Sequence, residues 1–354
     1  MRAAAALVAL AFTASIDAQT LPPRCQTQEV GVAESTVDLR ILACAGEPQR
    51  AATGKGAVVY VCDTGVMQTH DEFMRAEGSV VIAGIDPVPN GYGRCARPAV
   101  DPCWSNDGTL GIFGHGTATA SVIAGRNTGI APDAKIVSVY VENVGTRVDR
   151  WIRTLDAIIA HAWDPATPQF RTAIVNMSFA VNLASMNDPK FAQFERKMRD
   201  MIGGVDRDGN PDPSGKRFLF VTVAGNHAAG SAGQCDANLN TNLFPATLGS
   251  SIDGLITVGG TDNANRIWER SCRGDAVDVY APAVDVFVAS ISAHDHYRSG
   301  HVPYAGYPQN SGTSYAAPFV AGAAALLLEE YPDLTPAELE GLIKSGGFDY
   351  IVRR

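Results

Sequence analysis

"AVVYVCDTGV", residues 57–66, is an apolar run without polar alternation that ends on a carboxylate and a glycine. A strand with one face in water alternates apolar and polar side chains, whereas a strand covered on both faces does not. The run therefore predicts a buried strand with layers packed on both sides. Asp63, at its end, has two readings. It closes the strand as an Asx turn, or it is a functional carboxylate, which needs hydrogen bonds or a charged partner in such a place.

The same alternation of short apolar runs and helical stretches continues outward. "KIVSVYV" (135–141), "TAIVNMSF" (172–179), "FLFVTVAGN" (218–226) and "GLITVGGTD" (254–262) read as strands. "GTATASVIAG" (116–125), "RVDRWIRTLDAIIAHAW" (147–163) and "KFAQFERKMRDMIGG" (190–204) read as helices. A long apolar helix starts near residue 314, and "TPAELEGLIKSG" follows with Thr335 and Pro336 as N-cap and first helical residue. This order predicts an α/β fold with a mostly parallel sheet. No internal repeat or low-complexity linker interrupts it, so one domain over 51–354 is the simplest organisation.

The chain has 354 residues, 46% hydrophobic and 18% charged, as expected of a packed globular protein. Its net charge is −9 and it has no basic run, which argues against nucleic acid or an anionic membrane as partner. Residues 1–18, "MRAAAALVALAFTASIDA", have one positive charge, an apolar stretch and a small residue at Ala18, and read as a secretory signal peptide. A secreted or periplasmic location follows. Neither that stretch nor 315–328 reaches the roughly 20 residues of a membrane span. Residues 19–50 form an irregular leader. Seven cysteines suit an exported protein. Cys95–Cys103 bracket a short Pro-containing loop, and Cys25–Cys44 and Cys235–Cys272 are the natural remaining pairs. Cys62, inside an apolar strand, is expected to stay free as a small buried hydrophobe.

Reactive side chains sit beside glycine at three element ends, the place where open α/β sheets build sites. Asp63 is the first. His115 in "FGHGTATA" opens a helix, whose positive end disfavours an imidazolium and keeps a base neutral. Ser314 in "SGTSYAAP" opens the long apolar helix. A serine there is ordinarily a cap, but Thr313 offers itself as the capping group, and the first amides of a buried helix can hold an oxyanion. Asn226 in "FVTVAGN" has a side-chain amide able to donate to developing negative charge, or it is a turn residue. The order Asp, His, Ser differs from that of α/β-hydrolases and from that of chymotrypsin-type enzymes.

With "DTGV", "GHGT", "AGN" and "SGTSYAAP" in this order, the chain resembles the subtilisin-like serine peptidases over about 57–330. "VYVCDTGV" and "AGRNTGIAP" are similar to the proteinase K branch. The resemblance implies a three-layer fold with helices flanking the sheet. It implies that Asp63 orients His115, that His115 is general base and then acid, that Ser314 is the nucleophile, and that Asn226 belongs to the oxyanion hole. Ser178, Phe179 and Ala180 would pair with an extended polypeptide substrate, with Ala224 and Gly225 on the opposite wall. The implied activity is that of a secreted, monomeric serine endopeptidase needing no cofactor for catalysis.

Several positions depart from the family pattern. Ala180 and Val181 stand where glycine is usual, Tyr315 where methionine is usual, Ala118 where a second histidine is common, and 281–283 reads "APA". The leader is shorter than the family's usual propeptide. The calcium-holding loop of many relatives is reduced to "AGRNTGIAP", so no metal site is carried over. "DRDGNPD" (206–212) has Asp206, Asp208, Asn210 and Asp212 at alternate positions, but glycine in fourth place and no closing glutamate, and reads as a solvated turn before a calcium loop. "HDH" (294–296) with His301 lacks zinc spacing and reads as a surface loop. A peptide-binding protein without catalysis and a peptidyl-transferring variant are the alternatives.

Overall fold

In the computed structural model β1 (Val58–Asp63) lies near the centre of an eight-stranded sheet, and both of its faces are covered. The structure describes residues 52–87, 114–141, 148–182, 189–205, 208, 210–211, 215–227, 234–292, 295–298, 303–304, 307–308, 311–346, 348 and 351–353. The other strands are β2 (Val81–Ile85), β3 (Lys135–Tyr140), β4 (Thr172–Met177), β5 (Arg217–Val223), β6 (Leu255–Thr261), β7 (Val279–Pro282) and β8 (Val352–Arg353). Their order across the sheet is β8-β7-β6-β5-β4-β1-β3-β2. Every neighbouring pair is parallel except β7 with the short edge strand β8.

The helices are α1 (His115–Ala124), α2 (Val148–Trp163), α3 (Lys190–Gly203), α4 (Thr313–Glu330) and α5 (Pro336–Ser345). Side chains of a strand point alternately to its two faces, and β1 sorts accordingly. Val59 and Val61 join one core with α1, α4 and α5, whereas Val58, Tyr60 and Cys62 join the other with α2 and α3. This is the three-layer α/β arrangement. Burying each of these aliphatic or aromatic side chains contributes about 1.5–3 kcal/mol. Alternation also sends Asp63 to the α1 side, since it shares the parity of Val59 and Val61. Cys62 is free and buried on the opposite side, as its apolar setting predicts. Burial, then the adjacent Asp63 charge, pushes its thiol pKa up, so it stays protonated.

The chain runs from β1 to one side of the sheet and then returns to the other through β4, so β1 lies at the reversal of strand order. Crevices outside the carboxyl ends of strands at such a reversal are where sites form. In a parallel sheet those ends lie on one edge. Asp63 ends β1, Ser178 follows β4, and Ala224–Asn226 follow β5, three adjacent strands.

Several expectations are sharpened. The strand over 172–179 stops at Met177, and Ser178–Ala180 leave the sheet before Val181–Asn182 pair with Leu243–Phe244. Helix α5 has the predicted Thr335 cap, here a reciprocal capping box with Glu338. Thr313 does not cap α4: the N-cap is Gly312, with no side-chain cap, and the Thr313 hydroxyl is engaged elsewhere. Cys235–Cys272 form a disulfide. Cys25, Cys44, Cys95 and Cys103 lie outside the described residues, as do Asp206, Asp212, His294 and His301. Among the described residues no three His, Cys, Asp or Glu are grouped to hold a metal, and no helix is long and apolar enough to cross a membrane.

Candidate active site

Asp63 is almost fully buried, and its carboxylate oxygens are satisfied by specific donors. Oδ1 accepts from the Thr64 backbone N–H at 2.7 Å and lies 2.7 Å from His115 Nδ1. Oδ2 accepts from Thr119 Oγ1 at 3.1 Å. A carboxylate can only accept, so in neutral His115 the Nδ1 carries the hydrogen and Nε2 is left as the basic nitrogen. The His115 side chain is 20% exposed, against 3% for Asp63. The ring therefore bridges from the buried end of β1 towards solvent.

Local chemistry explains how His115 reaches this place. Gly114 precedes α1 at φ +82°, in the left-handed region that suits glycine. Gly116 follows; a Cβ there would come within 2.0 Å of Gly65 O and 3.0 Å of the Asp63 Cβ. Only glycine lets α1 approach the turn after β1 this closely. Its N–H donates to Thr64 Oγ1 at 3.0 Å, closing the turn onto the helix. Thr119 lies one helical turn beyond His115, on the same face, as i and i+4 residues do. Sequence motifs singled out neither Thr64 nor Thr119. The helical spacing from His115 is the one signal that points to Thr119.

Ser314 is the second residue of α4, which starts at the same edge of the sheet. The helix is apolar all round, with Ala316, Ala317, Val320, Ala321 and Ala323 fully buried. Amides of a helix's first turn have no intrahelical acceptor, and Ser314 N–H is one of them. Tyr315 packs on His115 with ring centroids 5.8 Å apart, which sets the start of α4 beside the imidazole. The unusual tyrosine thus has a packing role on the histidine.

Asn226 is tied to the same helix end. Its Oδ1 accepts from Thr313 N at 2.9 Å and from Thr313 Oγ1 at 3.2 Å, while Thr313 Oγ1 accepts from Gly225 N at 3.2 Å. A backbone N–H can only donate, which fixes the amide orientation and puts Nδ2 on the other limb of the planar group. The Thr313 hydroxyl therefore joins the Ala224–Asn226 turn to α4.

On the third strand end, Ser178 meets Ser314 directly. Ser178 Oγ donates to Ser314 O at 2.9 Å, and Ser314 Oγ donates to Ser178 O at 3.2 Å. Asn176, fully buried on the α4 face, donates from Nδ2 to Ser178 Oγ at 3.0 Å. Phe179 packs edge-on against Trp151, centroids 4.3 Å apart. Ala180 is partly buried against the α1 and α4 core. The residues singled out for catalysis and substrate binding thus come to one edge of the sheet. Asn176 adds to them and was not singled out.

A parallel three-layer α/β fold whose strand ends carry an aspartate on a histidine, beside a serine at a buried helix start, defines the class of the subtilisin-like proteins. The subtilase family model matches residues 54–346, and the chain belongs to that family. It is 30% identical to "Subtilisin-like protease 3" of Pseudogymnoascus destructans over 298 residues, 83% of this chain and 58% of that protein. It is 30% identical to the "Cuticle-degrading serine protease" of Arthrobotrys oligospora over 281 residues, 79% of this chain and 53% of that protein. The chain thus spans somewhat more than half the length of these relatives. A cold-adapted subtilisin-like serine proteinase of known crystal structure superposes with a TM-score of 0.57, 26% identity and 83% of each chain covered.

Proposed function

We propose that the protein is a serine endopeptidase in which Asp63, His115 and Ser314 form the catalytic triad. The observation that carries this reading is the 2.7 Å contact of His115 Nδ1 with buried Asp63, beside the start of the helix that bears Ser314. His115 Nε2 takes the Ser314 hydroxyl proton as Oγ attacks the peptide carbonyl. The tetrahedral oxyanion then accepts hydrogen bonds from Ser314 N–H and Asn226 Nδ2. His115 passes the proton to the leaving amine, and water repeats the sequence on the acyl-enzyme. Asp63 holds the His115 tautomer and ring orientation.

An extended polypeptide lies between Ser178–Ala180 and Ala224–Asn226. Ala180 in place of the usual glycine narrows that cleft. No metal or other cofactor takes part in the chemistry. Export through the 1–18 segment agrees with the Cys235–Cys272 disulfide. A relative in Yarrowia lipolytica is named "Alkaline extracellular protease". A fluorophosphonate probe is expected to label the wild type at Ser314 and to leave Ser314→Ala unlabelled. Equal labelling of the two proteins sinks the assignment, and labelling without turnover of any peptide points to the non-catalytic alternative.

A further inference from the structure

The last ladder bond at the end of β5 is Ala224 N–H to Val258 O, at 2.8 Å. Beyond it the chain turns at Gly225, at φ +101°, and the Gly225–Asn226 peptide leaves the sheet. Its two polar groups then need partners of their own. The N–H of this peptide, on Asn226, donates to the side chain of Gln234, with Oε1 at 2.8 Å. Its C=O, on Gly225, accepts from Cys272 N–H at 2.9 Å. Gln234 precedes Cys235, and Cys235 is bonded to Cys272. One peptide plane is therefore held at both ends by segments that the disulfide joins.

Gln234 is itself fixed. Its carbonyl accepts from Asn242 N–H at 2.8 Å, and Cys235 bridges Thr241. A Cβ on Gly225 would stand 3.4 Å from Gln234 Oε1 and 3.1 Å from Cys272 Sγ, so both lie close behind the turn. Thr313 fixes the other end of Asn226, through Oδ1. The Nδ2 position is set by these two anchors together: Thr313 holds the amide, and Gln234 holds the plane from which the side chain springs.

We propose that Gln234 is a positioning residue for the oxyanion hole, held in register by the Cys235–Cys272 disulfide. This rests on the assignment of Asn226 as oxyanion donor. A donor must lie about 2.7–3.1 Å from the developing oxyanion, and losing one outright costs about 10²–10³-fold in kcat. Loosening its backbone anchor costs a fraction of that. The interaction acts in the transition state and not on the bound peptide, so the loss falls on kcat and leaves KM alone.

Steady-state hydrolysis of a chromogenic peptide by the full chain tests this with four variants. Gln234→Met, of similar length without the acceptor, is expected to lower kcat about ten-fold with KM within about two-fold. A peptide aldehyde, which binds as an oxyanion-bearing hemiacetal, weakens by the same factor. Gln234→Glu keeps an acceptor for Asn226 N–H and stays within about three-fold of the wild-type kcat. Cys235→Ser/Cys272→Ser lowers kcat like Gln234→Met, and adding Gln234→Met to that pair lowers it little further, because both act on one peptide plane. An unchanged kcat in Gln234→Met overturns the proposal. So does a Gln234→Glu enzyme as impaired as Gln234→Met, or a loss confined to KM. A wild-type chain that turns over no peptide overturns the activity itself, and this inference falls with it.

Discussion

Ser178 and Ser314 hold each other by a reciprocal pair of hydrogen bonds, side chain to main chain in both directions, at 2.9 and 3.2 Å. The cause lies four residues further along α4. Pro318 sits inside the helix and has no N–H to give to the Ser314 carbonyl. The carbonyl freed in this way accepts from Ser178 Oγ, which accepts in turn from Asn176. A helix defect thus couples the proposed nucleophile to the strand end beside it.

Ser178→Ala leaves the Ser314 carbonyl without this donor and is expected to cost about 1–3 kcal/mol of stability, read as a lower urea midpoint. Pro318→Ala returns an N–H at the position from which α-helical geometry supplies the bond. In the Ser178→Ala background it is therefore expected to recover part of the loss. Strict additivity of the two substitutions contradicts the coupling.

Glu72 is fully buried, and its carboxylate is held by amide and hydroxyl donors of the loop after α1. Its carboxylate accepts from Asn127 N at 3.1 Å, Asn127 Nδ2 at 2.6 Å, Thr128 N at 3.1 Å and Thr128 Oγ1 at 2.9 Å. These donors shape the short "AGRNTGIAP" loop after α1. Glu72→Ala strands them and is expected to lower stability by about 3–5 kcal/mol, whereas Glu72→Gln keeps one acceptor oxygen and costs about 1–2. Chemical denaturation of the two variants checks the ranking; equal losses remove the carboxylate's special role.

The candidate site positions were legible because each lies beside glycine at the end of an apolar run, where the chain has few structural reasons to keep a polar group. The central strands were legible because burial on both faces removes alternation. What failed was set by distance in the chain. Thr313 reads as a cap by local rules, and nothing nearby shows that its hydroxyl is claimed by Gly225 and Asn226, which lie 88 and 87 residues earlier. Glu72 was not singled out at all, since a buried carboxylate is betrayed only by donors brought to it by the fold. Strands β2 and β7 went unread because they are short and carry Gly84 and Pro282. Strand β8 has only two residues at the sheet's antiparallel edge.

Lys344 bridges two carboxylates, Asp278 Oδ1 at 2.9 Å and Glu340 Oε1 at 3.0 Å, whose side chains are 3% and 7% exposed. Burial raises the Glu340 pKa, against the opposing pull of Gly254 N–H and Lys344. Lys344→Met removes the cation that the two carboxylates share. Because the lysine is 41% exposed, the loss is expected between surface and buried limits, about 2 kcal/mol. A raised carboxyl pKa means that the folded state holds its proton longer, so stability falls as pH rises from 4.5 through the folded value. The penalty of Lys344→Met is therefore expected to be larger at pH 8 than at pH 5; a penalty independent of pH contradicts it.

His161, near the end of α2, places Nδ1 3.1 Å from the hydroxyl of Tyr60 on β1, with the two rings edge to face at 5.7 Å. Burial lowers the His161 pKa; the nearby Asp164 charge raises it and Lys216 lowers it further, with a net shift down from 6.5. The Tyr60 hydroxyl, pushed up by burial, stays protonated over the whole working range and can donate to a neutral imidazole but not to an imidazolium. The unfolded chain therefore takes up a proton at His161 before the folded protein does. The stabilisation is complete above pH 6.5 and is lost as pH falls from there through the lower folded value. Urea midpoints measured from pH 8 to pH 5 are expected to drop less in His161→Gln than in the wild type. Parallel curves for the two proteins would show that His161 titrates alike in both states and carries no pH-dependent stability.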